Sequence, residues 1–166
     1  METAVYWINK LGLTSHIEGG AFKEIYRSEL SLPQTALTSQ HGGDRNAMTS
    51  IYFLLQEGDF SAFHKIASDE IWHFYDGSSL CIYEITTDGT LVKHMLGKDV
   101  DNSEQLVHII KAGHWFGSRV EEPGGFTLCG CTVAPGFDFE DFELADREAL
   151  QNEYPKHAGI IAEMTR

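Results

Sequence analysis

An imidazole and a carboxyl six residues apart, His64 and Glu70, are the side chains of this chain best spaced to move a proton. They lie in Gly58-x5-His64-x-Ile66-x3-Glu70-x6-Gly77, which reads GDFSAFHKIASDEIWHFYDG. His64 and Ile66 are two apart on a predicted strand and point the same way, toward the interior. Glu70 follows the Ser68-Asp69 turn and starts the return strand. A carboxylate beside an imidazole orients the ring, favours its charged form and raises its pKa. Such a pair serves as general base and acid for a substrate that reaches it. One His and one carboxylate hold a divalent metal only weakly, so no cofactor is expected and no metal ligands are assigned. A buried pair without chemistry is the competing reading.

The elements that must position these groups are mostly short strands. Thr3 is a plausible N-cap and Gly12 a plausible stop for a helix at 4–11, whose Val5, Ile8 and Leu11 form an apolar stripe. Ala21–Arg27 reads as a strand and Ser31–Asn46 as a long loop, the kind that often carries function. Further strands are predicted at Thr49–Gln56, Ser61–Ile66, Ile71–Tyr75, Leu80–Thr86, Leu91–Met95, Leu106–Ile110, Trp115–Arg119 and Phe126–Val133. Asp76-Gly77, Asp88-Gly89 and Gly124-Gly125 are turn chemistry between them. Phe137–Glu143 reads as a last edge strand and Asp146–Glu153 as a short helix. Many short strands at regular spacing predict an all-β sandwich or barrel, and no linker or repeat marks a second domain within 1–166.

Composition excludes some partners. Twelve Lys and Arg against 25 Asp and Glu give a formal charge of −13, which repels nucleic acid and anionic membranes. The N-terminal METAVYWINKLG lacks the layout of a secretory signal, and three cysteines are an odd, low number. Both point to a cytoplasmic chain with reduced thiols. Cys129-Gly130-Cys131 lacks the further ligands of a closed metal site and reads as core.

The spacing around His64 and Glu70 resembles the first signature of the cupin superfamily, with Ile66 where the second His of that signature stands. Four further blocks resemble one cupin subgroup of unknown function, the cupin-5 group. They are Glu18-Gly19-Gly20-x-Phe22-x-Glu24-x-Tyr26-Arg27-Ser28, Thr49–Leu55, Ser68–Phe74 and Cys131–Phe137. The resemblance implies a double-stranded β-helix, a jelly-roll barrel with a short N-terminal and a short C-terminal helix, paired as a homodimer. It also implies that His64 and Glu70 converge on one spot inside the barrel. The second cupin signature is poorly matched: its Pro and His positions hold Lys111 and Phe116, with His114 two residues early. Two of the four metal ligands usual in that superfamily are thus missing.

Around this centre the sequence supplies candidate ligand contacts. Trp72 and Phe74 share the parity of Glu70 and are candidate pocket walls, while His73 and Tyr75 face another layer or a partner. Arg27 can clamp a carboxylate or phosphate, with Tyr26 and Glu24 beside it. Ser50 and Tyr52 share one face of a strand; Tyr52 is a candidate general acid opposite His64, in an arrangement similar to that of cupin-fold sugar epimerases. Trp115 can stack on a flat ligand. The reading is a small-molecule-binding protein, its candidate activity a metal-independent isomerisation or epimerisation of a sugar or nucleotide-like ligand. A non-catalytic binding protein is one alternative; a metal-dependent dioxygenase or isomerase using His64, Glu70 and His114 is the other.

Overall fold

The computed structural model describes residues 2–166. Helix α1 (Ala4–Leu11) is closed at both ends as its sequence predicts. The Thr3 hydroxyl accepts from the Tyr6 amide at 3.2 Å, and Gly12 takes the left-handed conformation that ends the helix. Its apolar side lies on Leu54 and Leu128, outside the larger of two sheets.

That sheet has six antiparallel strands in the order β1 (Thr14–Ser15), β2 (Ala21–Arg27), β5 (Thr49–Gln56), β12 (Phe126–Ala134), β7 (Asp69–Gly77), β10 (Val107–Ile110). The second has five: β13 (Glu143–Leu144), β6 (Phe60–Lys65), β11 (Trp115–Val120), β8 (Leu80–Ile85), β9 (Leu91–Leu96). Non-consecutive neighbours such as β12 between β5 and β7 are the crossovers of the expected jelly roll. A further pair, β3 (Ser31–Leu32) with β4 (Arg45–Asn46), brackets what was expected to be one long loop.

Alternation along the strands builds the layers. Phe53, Trp72, Ile82, Ile110 and Phe116 point between the sheets and form the central core, together with Cys129 and Cys131. On the outer face of the five-stranded sheet, Phe63, Cys81, Ile85 and Trp115 pack under helices α2 (Arg147–Glu153) and α3 (Ala158–Glu163). Strand β8 is therefore covered on both sides, and all six of its residues are buried. The second C-terminal helix was not expected; Pro155 ends α2 and restarts the chain as a short 3-10 turn leading into α3. No helix among the described residues is long and apolar enough to cross a membrane.

The predicted edge strand at Phe137–Glu143 does not form. Residues 139–141 make a 3-10 turn, because the Asp138 carboxylate accepts from the Glu140 amide and starts it. Only Glu143 and Leu144 then pair, with β6. The rings of Phe137, Phe139 and Phe142 pack on one another instead of alternating, with centroids 5.0 to 6.1 Å apart. Buried Arg45 anchors this segment, gripping Asp141 through both carboxylate oxygens at 2.6 Å.

Candidate functional site

A cavity of about 220 Å³ opens on the six-stranded sheet, between β2, β5, β7, β12 and the aromatic segment at 137–139. Its floor holds Glu18 and Glu70, and its rim holds Glu24 and Arg27. Phe22, Phe137 and Phe139 supply apolar wall.

Glu18 reaches the floor through the turn between β1 and β2. Gly19 has φ +114°, and a side chain there would run into the Phe60 carbonyl, so the turn lies flush against β6. The Glu18 carbonyl accepts from the Ala62 amide at 2.8 Å, fixing the residue to β6. The carboxyl of Glu18 then points inward. Its Oε1 accepts from the Ser61 hydroxyl at 2.8 Å, and its Oε2 lies 3.2 Å from His64 Nε2 and 3.6 Å from His16 Nδ1.

His64 is buried, as its strand position predicts, but its carboxyl partner is Glu18 and not the expected Glu70. His64 Nδ1 donates to the Ala62 carbonyl at 2.7 Å, which leaves Nε2 facing Glu18. The expected rise in imidazole pKa is also reversed. Burial disfavours the charged ring and lowers its pKa to about 4, against a small opposing effect of the Ala62 contact. Burial raises the Glu18 carboxyl at the same time, outweighing His16 and Ser61. Although the distance would also fit an ion pair, both shifts favour neutral partners. The two groups stand 3.2 Å apart, and burial acts against charge on both.

Glu70, at the start of β7, is buried and lines the cavity. Burial pushes its pKa up to about 8, the nearby Glu18 adds to the rise, and a hydrogen bond from Cys131 opposes it. The cavity floor thus carries two carboxyls whose pKa values burial raises, that of Glu70 to about 8. His16 joins them with its pKa lowered, chiefly by burial. Its Nδ1 accepts from the Glu18 amide at 3.3 Å, and its ring meets Phe22 edge-on at 4.6 Å.

The rim depends on an irregularity in β2. Residues three apart on a regular strand face opposite ways, but the register of β2 against β5 shifts between Glu24 and Tyr26. Glu24 and Arg27 therefore both face the cavity, joined by two hydrogen bonds of 3.0 and 2.7 Å. Arg27 also donates to Asn46 Oδ1 and the Phe137 carbonyl. Tyr26, next to the irregularity, is exposed and does not line the cavity.

Several expected contacts lie elsewhere. On β5 it is Thr49, Ile51 and Phe53 that face inward, so Ser50 and Tyr52 face out. Ser50 Oγ meets Thr132 Oγ1 at 3.1 Å, and Tyr52 packs against the α1 layer and Tyr75. Tyr52 is thus not opposite His64. Trp72 has the inward parity expected but is sealed in the core between Phe53 and Phe116, and Phe74 packs against the same cluster. Trp115 points to the outer layer, with the Lys65 ammonium 4.4 Å above its ring. His114 bonds Glu84 rather than joining His64 and Glu70. Glu18 and His16 were the residues to add. Both stand in a turn, where strand parity marks nothing; Glu18 was signalled by the Glu18-Gly19-Gly20 block of the family resemblance, and His16 only by its place two residues before it.

The donor set does not fit a metal at the place where the superfamily resemblance would put one. Ile66 and Phe116 are hydrocarbon, the Phe116 ring lies 4.1 Å from that of His64, and both His64 nitrogens are engaged. What remains is a pair of carboxyls backed by an imidazole whose charged form burial disfavours.

Comparison with known proteins agrees with this fold. The family described as Cupin_5, cupin superfamily (DUF985), matches residues 5–145. An uncharacterized protein of Saccharomyces cerevisiae is 31% identical over 144 residues, covering 81% of this chain and 71% of the yeast protein. A hypothetical protein from Leishmania major superposes with a TM-score of 0.91 at 32% identity, over 99% of both chains. A protein from Shewanella oneidensis does so with a TM-score of 0.88 at 40% identity, over 100% of this chain and 99% of that one. The chain belongs to the Cupin_5 (DUF985) family of the cupin superfamily.

Proposed function

We propose that the cavity binds a small, hydroxyl-rich organic ligand of sugar type, and that the Glu18–Glu70 pair moves a proton on it. One observation carries the reading: two buried carboxyls with raised pKa values face one cavity of about 220 Å³. Paired groups of this kind cluster at catalytic sites. The lining is rich in acids, including Glu24 and Asp138 besides the floor pair, and Arg27 is already held by Glu24. That balance favours an uncharged ligand over a phosphorylated one. Phe22, Phe137 and Phe139 offer the apolar faces that sugar rings stack on.

In this reading Glu70 donates its proton to a ligand oxygen while Glu18, in its ionised form, accepts one from carbon. Returning the proton to another position or face is an isomerisation or epimerisation. A non-catalytic binding protein is the second reading, favoured by the mutual satisfaction of Glu18, Ser61 and His64. The test is extraction of small molecules from purified protein, followed by incubation of the recovered ligand with the chain in D₂O. Deuterium at a carbon position with the wild type, and none with Glu70→Gln, supports proton transfer. A retained ligand without exchange leaves the binding reading alone. No co-purifying molecule and no binding across a panel of free sugars would remove both.

We propose also that the chain is cytoplasmic, in keeping with three free, buried cysteines, and pairs with a second copy. Exposed Tyr75, Val107 and Ile109 on the outer side of the six-stranded sheet support the pairing.

A further inference from the structure

A second cluster of ionisable groups stands at the other edge of the sandwich, where the last strands of the two sheets meet. None of its members lines the cavity. Glu84 on β8, His94 on β9 and His108 on β10 bring one ligand atom each within 4.8 Å of one another. Alternation points all three between the sheets. Glu84 and His94 share the parity of core residues Ile82 and Leu96, and His108 that of Ile110.

The hydrogen bonds around the cluster leave one position open. His108 Nδ1 lies 2.9 Å from Gln105 Oε1, an acceptor, so Nδ1 carries the ring hydrogen. With that tautomer the lone pair of the ring is at Nε2. That atom is buried and has no hydrogen-bond partner. It faces Glu84 Oε2 at 3.8 Å, too long for a hydrogen bond, so two acceptors look at each other across a gap. His94 Nε2 reaches the same oxygen at 2.8 Å, and its ring stacks on that of His108 with centroids 3.8 Å apart. His114 Nδ1 bonds the other carboxylate oxygen at 2.6 Å and sets the carboxylate plane. An orphaned imidazole nitrogen aimed at a carboxylate is the arrangement that a cation resolves.

We propose that His94 Nε2, His108 Nε2 and a Glu84 carboxylate oxygen form a binding site for a divalent transition-metal ion of the Zn²⁺ type. Two imidazoles and one carboxylate are a ligand set that such ions accept while keeping an open position. Donors about 2.0 Å from one ion in tetrahedral geometry sit about 3.3 Å apart. The 2.8 Å and 3.8 Å separations bracket that value, so small side-chain rotations suffice. Gln105 and His114 are positioning residues: each holds a ligand from behind. The side chains are 8 to 20% exposed, so an ion has a path in and a solvent molecule can complete its shell. The bound ion joins β8 and β9 of one sheet to β10 of the other.

The experiment is calorimetric titration of chelator-treated, dialysed protein with ZnCl₂. The expected result is one ion per chain, with affinity reduced at least about 100-fold in His108→Ala and about 10-fold in Gln105→Ala. His64→Ala binds as the wild type does. Ring-nitrogen NMR of the wild-type chain decides the matter without any variant: Zn²⁺ shifts the Nε2 resonances of His94 and His108 and leaves those of His64 in place. Absence of binding, binding that His108→Ala leaves intact, or unmoved His94 and His108 resonances would overturn the site.

Discussion

Replacing Glu70 with Gln removes a buried ionisable group while keeping a neutral side chain of the same shape. The Glu70 carboxyl titrates near 8 in the native chain against an ordinary value of 4.5. Between those values the native state keeps a proton that the unfolded chain has released. Its contribution is fully present below about pH 4.5, falls as pH rises, and is lost above about 8. At about 1.4 kcal/mol per pH unit the whole window amounts to roughly 5 kcal/mol. His64 behaves oppositely: with its pKa lowered to about 4, its contribution is present above about 6.5 and lost as pH falls to about 4. The two slopes cancel over much of the acid range, so the wild-type curve alone does not isolate Glu70. The difference between Glu70→Gln and wild type does. That difference, from urea unfolding at fixed protein concentration, should be flat near pH 4, rise in favour of Gln through neutrality, and level off near pH 9. A difference that stays constant across this range would refute the claim that Glu70 is held protonated by burial beside Glu18.

Three further outcomes follow from the same geometry. Asp141→Ala leaves the buried Arg45 guanidinium without its bidentate partner and should cost about 3–5 kcal/mol in urea unfolding, loosening the aromatic wall at 137–142. Gly19→Ala meets both a positive φ and the Phe60 carbonyl; it should lower stability by at least about 1 kcal/mol, and a neutral result in thermal unfolding would mean the turn is not held against β6. The pairing of two copies should give twice the chain mass in light scattering at micromolar protein, and Val107→Lys should reduce it to the single-chain mass.

Much of the architecture was legible because period-two patterning and glycine turns are local signals. The boundaries of β2 and β5 match the sequence reading, and α1 ends where its caps stand. The segment at 137–143 was misread because aromatic residues suit strands, yet Asp138 capping and the Arg45–Asp141 pair, set by contacts across the molecule, turn it into a 3-10 bend. Parity correctly grouped Ser50 with Tyr52, but parity does not say which group faces in. That depends on which neighbours cover each side, and here α1 covers the side of Tyr52.

Strand patterning by itself gives an all-β sandwich or barrel with His64 facing its interior, because spacing along strands is a one-dimensional property; the jelly roll and an inward Glu70 are what the resemblance of the motif blocks implies. Tertiary structure alone decided that His64 meets Glu18, that Glu70 and Glu18 share a cavity, and that burial raises the pKa of both carboxyls. Desolvation and convergence are produced by strands distant in the chain, and no local window of sequence contains them.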